Sequence, residues 1–204
     1  MPLPSCSRRA ALRLVAPLAL SGAPLAGAAL AQTSITLEGV MAALAARRSG
    51  EAGFTESKEI PQLDTPLRST GTLTWIAPDR LEKHTLSPVE EILRVEGDRL
   101  LLTRPAQNLQ RSMGLDDVPE IRPLVESIRA TLAGDLATLQ RHFEIDFQPE
   151  TTGWRMWLTP RSLRVRAALQ SVEITGTGGE LTSMVTQGNE GTTRLVITPP
   201  PAAR

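Results

Sequence analysis

The chain has 204 residues, with 22 basic against 22 acidic side chains, 3% aromatics, no tyrosine and one cysteine, Cys6. That length suits one domain of ordinary size. Balanced charge argues against a nucleic-acid binder, whose affinity rests on neutralising phosphates, and a lone thiol excludes a disulfide framework or thiolate metal site.

The first 31 residues read as a signal peptide. Arg8 and Arg9 precede an apolar run over residues 12–20, and Ala29-Leu30-Ala31 offers small-x-small cleavage after Ala31. A membrane span needs about 20 uninterrupted apolar residues, and Arg13, Pro17, Gly22 and Pro24 break this run. Ser7-Arg8-Arg9 also resembles a twin-arginine signal, so both the general secretory and twin-arginine routes stay open. Cleavage removes Cys6 and three arginines, taking 22 basic residues to 19 against 22 acidic. A periplasmic, mildly acidic mature protein is expected from residue 32.

Ser34 or Thr36 can cap a helix with Leu37, Val40, Met41 and Leu44 at helical spacing, and Gly50 offers a stop. Residues 54–60 form a mostly polar extended run suited to an edge or exposed strand. Strands follow at 67–76, with Leu73 and Trp75 on one face, and at 81–86. Residues 91–96 and 99–103 flank Gly97-Asp98, a hairpin signal in which glycine supplies the positive φ of a type II′ turn. Residues 118–143 change period: Ile121, Leu124, Val125, Ile128 and Leu132, then Leu136 and Leu139, imply helices over 119–133 and 135–142. Pro119 sits in the first turn of one and Asp135 caps the other. Strands return at 143–147, 154–158, 169–175, 180–186 and 192–198, and residues 199–204 form a frayed tail. Short turns make neighbouring strands antiparallel. The expected fold is mainly β: about ten short strands in one highly curved antiparallel sheet, with helices on its concave side.

In this order the chain resembles the LolA family of periplasmic lipoprotein carriers. Gly71-Thr72-Leu73-Thr74-Trp75-Ile76-Ala77-Pro78 is similar to the family's G-x-L-W-x-x-P strand. Ser87-Pro88-Val89-Glu90-Glu91-Ile92-Leu93 and Gly97-Asp98-Arg99-Leu100 are similar to two further segments, and Leu158-Thr159-Pro160 to its L-T-P motif. The resemblance covers nearly the whole chain after residue 31 and implies a LolA/LolB-like fold, an incomplete antiparallel barrel of about ten or eleven strands with a helical lid. It also implies an acylated lipoprotein or lipid passenger, received from an inner-membrane transporter and delivered to an outer-membrane acceptor. A monomer without a cofactor is expected. In the family an arginine before the strand-ending proline controls the lid; here that position is Ala77, and Arg80 follows the proline. Three Phe and three Trp are also few for the aromatic-rich family cavity.

The alternation alone fits a filled core as well as a hollow one. With the resemblance, the candidate lining is Leu73, Trp75, Leu93, Val95, Leu100, Leu102, Trp154, Met156 and Leu158, with Ile121, Leu124, Val125 and Ile128 from the lid. Active-site chemistry is missing. His84 and His142 stand far apart, and surface or packing roles outweigh a metal pair. Asp116-Asp117 and Glu90-Glu91 are adjacent, and neighbours on a strand point to opposite faces. Gly176-Thr177-Gly178-Gly179 reads as a turn because a phosphate cradle would precede a helix. Arg80, Arg104, Arg155 and Arg166 are candidates for acidic partners or lipid head groups. Two other readings remain: a lipoprotein-sensing regulatory domain of the same fold, and a hydrolase that would need a convergent nucleophile and base.

Overall fold

The computed structural model describes residues 35–119 and 121–199. The signal peptide read over residues 1–31, the alternative cap Ser34 and the tail from residue 200 lie outside the described residues.

An 11-stranded antiparallel sheet dominates, in the order β6-β5-β4-β3-β2-β1-β11-β10-β9-β8-β7. Its strands are β1 (Ser49–Glu59), β2 (Leu67–Ile76), β3 (Arg80–Ser87), β4 (Glu91–Glu96), β5 (Arg99–Arg104), β6 (Leu109–Gly114), β7 (Phe143–Glu150), β8 (Gly153–Pro160), β9 (Leu169–Thr177), β10 (Glu180–Gly188) and β11 (Gly191–Thr198). The helices are α1 (Leu37–Ala45), α2 (Arg122–Leu132), α3 (Leu136–His142) and α4 (Leu163–Arg166). Consecutive strands other than β6 and β7 pair as hairpins, and β1 joins the two halves by pairing with β11. The edges β6 and β7 do not meet, so the barrel is incomplete, as expected.

Local chemistry explains the boundaries. The Thr36 hydroxyl accepts from the Gly39 amide at 3.1 Å, satisfying a free donor at the start of α1. Gly97 has φ 56, as the tight β4–β5 turn requires. The Asp135 carboxylate accepts from the Thr138 amide at 2.9 Å and caps α3. Pro119 precedes α2 instead of sitting in it; Pro123 takes the first turn. Gly50 does not stop α1. It lies inside β1, because Ala46 already ends the helix.

Two strands depart from expectation. Residues 54–59 belong to β1, which lies between β2 and β11 rather than at an edge, and Ile60 follows its end. Its polar inner positions are tolerated because Glu56 finds Lys83 at 2.5 Å and Ser69 at 3.1 Å, while Phe54 is buried. Strand β6 lacks apolar alternation because Gln110, Arg111 and Ser112 are exposed on an edge. Such polar edges discourage pairing with other chains.

Hydrogen bonds from the Thr138 hydroxyl and amide, the largest causes, hold the Asp135 carboxyl below its ordinary value of 3.8. The stabilisation is therefore complete above pH ~4 and is lost as pH falls through the lower folded value. Asp135→Ala is expected to destabilise by about 1 kcal/mol at neutral pH, the worth of a helix cap. The gap to wild type in urea midpoints should close in acid; a pH-independent gap would mean that lost packing, not the carboxylate, accounts for it.

Candidate functional site

Directly opposed residues in an antiparallel pair share a face, so the registers define the inner surface row by row. One row runs Trp75, Leu81, Val95, Leu100, Met113 across β2 to β6. The next runs Ala52, Leu73, Lys83, Leu93, Leu102, Arg111 from β1 to β6. On the other half, Phe147, Met156, Ile174 and Met184 form one row, and Ile145, Leu158, Val172 and Thr186 another.

The helices cover this face and divide its interior. Trp154, Met156 and Leu158, each at most 1% exposed, join Val40, Met41 and Leu44 of α1, Ala130 of α2 and Leu139 of α3 in one sealed cluster. Leu124 packs against that cluster from α2. A second cluster holds Val95, Leu100, Leu115 and Val125, with Leu93 and Ile121 packed against it. Helix α2 thus crosses from one half of the sheet to the other. Trp75 is buried outside both clusters, and Leu73, Leu102 and Ile128 are half-buried outside both. The thirteen expected lining residues are therefore divided between two packed clusters and a partly open seam. In this conformation Trp154, Met156 and Leu158 fill space; a guest reaches them only if the helices move.

Polar ties hold α2 down at the turn ends of the strands. Arg129, 16% exposed, donates from Nη1 to the Gly97 carbonyl at 3.0 Å, and its Nη2 lies 3.8 Å from Asp79 Oδ2. Arg122 reaches Asp98 at 2.8 Å and Asp116 at 3.1 Å. The cations sit on the helix; Asp79 lies in the β2–β3 turn with Ala77, Gly97 and Asp98 form the β4–β5 turn, and Asp116 follows β6. A hydrogen bond from a charged group is worth about 1.5–3 kcal/mol. Arg129→Ala should therefore speed amide exchange over residues 125–132 by about tenfold or more, since ~1.4 kcal/mol is tenfold. Unchanged exchange in that helix would remove Arg129 as its fastening.

Away from these turns, the inner face of β1 to β5 becomes polar. An open pocket of about 370 Å³ is bordered by Glu56, Ser69, Lys83, Thr85, Pro88, Val89, Glu91, Arg104 and Gln107. Besides the Glu56–Lys83 pair, Arg104 Nε donates to Glu91 Oε2 at 2.6 Å, and Lys83 Nζ lies 5.1 Å from the Phe54 ring centroid. Charged side chains on inner-face positions escaped the sequence reading. The signal was available: Glu56 and Lys83 fall in step with the apolar positions Phe54 and Leu81 of their own strands.

The other chemistry-bearing residues do not converge. His84 Nε2 is 3.0 Å from Glu90 Oε1, while Glu91 turns to Arg104, and His142 is exposed at the end of α3. Asp117 accepts the Gly114 amide, whereas Asp116 faces Arg122. Arg155 pairs with Glu150 and Glu173; Arg80 lies 3.9 Å from Glu82; Arg166 donates to the Pro160 carbonyl. Gly178, at φ 55, belongs to the β9–β10 turn. Among the described residues there is no group of three or more metal-ligating side chains, and no helix long and apolar enough to cross a membrane.

Residues 28–201 match the sequence model of a family described as outer membrane lipoprotein carrier protein LolA-like. No curated protein matches the chain. Similar solved structures include a LolA superfamily protein from Nitrosomonas europaea, with 9% identity, covering 83% of this chain and 96% of that one at TM-score 0.42. The Pseudomonas aeruginosa MucA/MucB complex gives 13% identity, 80% and 56% coverage, and TM-score 0.41. Mycobacterium tuberculosis lipoprotein LppX gives 9% identity, 78% and 93% coverage, and TM-score 0.39.

Proposed function

Because the chain belongs to the family of LolA-like outer membrane lipoprotein carrier proteins, a family of carrier and binding proteins, we propose that it is a non-enzymatic periplasmic carrier. It shelters the acyl chains of a lipoprotein or related lipid between the sheet and α2, during transfer from an inner-membrane donor to an outer-membrane acceptor. The signal peptide read over residues 1–31, the carrier domain over 32–198 and a monomeric state belong to the same proposal.

The observation that carries this reading is the seam itself. Leu73, Leu93 and Leu102 lie in one inner row that also holds Lys83, and all three leucines are half-buried. Leu93 packs against the second cluster, Leu73 and Leu102 stand outside both, and α2 contributes side chains to each cluster. An acyl chain gains roughly 0.8 kcal/mol for each methylene removed from water. That is enough for a guest to compete with contacts that α2 makes in the closed form. Displacing α2 would expose Ile121, Leu124, Val125 and Ile128 to the guest, together with the Leu73 row. Trp75, Val95 and Leu100 would floor the widened space, with Trp154, Met156 and Leu158 at its far wall.

Titrating the detergent-free protein with a fluorescent fatty acid tests this directly. Saturable enhancement with one guest per chain is the expected result, together with lipid in the mass spectrum of protein taken from its native compartment. No binding by the probe and no co-purifying lipid would end the carrier reading.

A further inference from the structure

The polar pocket on the inner face of β1 to β5 has no evident reason to exist in a purely greasy carrier. Glu56 and Lys83 are 17% and 29% exposed, Glu91 and Arg104 32% and 40%. Half-burying paired charges costs desolvation that well-packed apolar side chains would avoid. We propose that this pocket holds the uncharged, hydroxyl-rich head group of an amphiphile whose tail lies along Leu73, Leu93 and Leu102. The inference rests on the carrier reading above and adds to it the class of passenger.

Its charge selects the class. Two cations face two carboxylates at 2.5 and 2.6 Å, so the site is electrically neutral and each cation already has its counterion. An acidic head group would have to displace a carboxylate or sit beside it. A hydroxyl carries no charge for the carboxylates to repel. It donates to a spare carboxylate lone pair and accepts from a guanidinium or ammonium N–H, and these ions keep several such positions free after one contact. Ser69, Thr85 and Gln107 supply further neutral donors and acceptors around the same space. The volume of about 370 Å³ falls within the range of small-molecule pockets, roughly 300–1,000 Å³.

Position links head to tail. Thr85, Glu91 and Arg104 each lie two residues along their strands from Lys83, Leu93 and Leu102, hence on the same face and about 7 Å away. A head group held by Glu91 and Arg104 therefore starts its tail at the Leu93–Leu102 pair of that row. Pro88 and Val89 provide an aliphatic wall, and Val89 stays 52% exposed.

The test has two independent readouts on the detergent-free protein. In the first, dodecyl maltoside, dodecylphosphocholine and dodecanoate compete with the fluorescent fatty acid below their micellar concentrations. Dodecyl maltoside should displace the probe at about tenfold lower concentration than either other ligand, roughly the discrimination of one good polar contact. The double variant Glu91→Gln with Arg104→Gln should abolish that preference. Should that variant not fold, Thr85→Val should reduce the preference instead. Equal displacement by all three, or preference for the zwitterion or the anion, overturns the head-group proposal and leaves the carrier standing. In the second readout, amide resonances of Ser69, Thr85 and Gln107 are followed on adding octyl glucoside. Movement confined to this pocket upholds it even if the fatty acid never binds, a result that counts against the carrier alone. Still resonances overturn it.

Discussion

Trp154→Ala is expected to lower the unfolding free energy by about 3–5 kcal/mol, the range for deleting a large buried aromatic side chain. The indole is 1% exposed and its Nε1 donates to the Gly178 carbonyl at 2.9 Å. Its slot exists because Gly176 lacks a side chain: a Cβ there would stand 2.3 Å from Trp154 Cζ2. Truncation leaves a cavity among α1, β8 and β9 and an unpaired carbonyl at the turn. With urea slopes of about 1–3 kcal/mol/M for small proteins, the midpoint should fall by one molar or more. A loss under about 1 kcal/mol would show that the cluster does not depend on this residue, and that space around β8 is readily vacated. That would enlarge the region open to a guest without helix movement.

Leu102→Asp carries the second large effect, on binding rather than stability. Leu102 faces the inner row between Leu93 and the exposed Arg111 on the edge strand. A carboxylate there keeps its water while the site is empty, so the fold should survive. Once a hydrocarbon tail covers it, the charge loses hydration at a cost of several kcal/mol. Fatty-acid affinity should fall about a hundredfold or more, since each ~1.4 kcal/mol is tenfold. Leu101→Asp is the control: it is the adjacent residue, opposite Arg94 and Ser112, on the outer face. Equal loss in both variants would point to general damage, and no loss in Leu102→Asp would place the guest elsewhere.

The sequence showed most of the local order and little of the interior. Ten strands, three helices and the Asp135 cap follow from period and punctuation, because neighbouring residues set them. The short α4 and the edge strand β6 escaped, since four residues make no period and an edge needs no apolar face. The pairing of Phe54 with Ile197 joins distant segments, and nothing in either segment announces it. The same limit hid the division of the lining. Trp154, Met156 and Leu158 alternate as Leu73 and Trp75 do, yet three helices press on the first set and not on Leu73. Which strand receives a helix is a property of the assembled chain.

The seam between β1 and β11 also bears on how the molecule is made. The pairs between Gly53 and Glu59 on one side and Thr192 and Thr198 on the other bring early and late segments together. Until residues 191–198 are available, β1 and β10 each present a bare row of amides and carbonyls, the kind of edge on which stray chains pair. Contacts of such wide sequence separation form slowly. Completion of the sheet therefore waits for β11, and chains cut short of it should accumulate as aggregates instead of as smaller folded bodies.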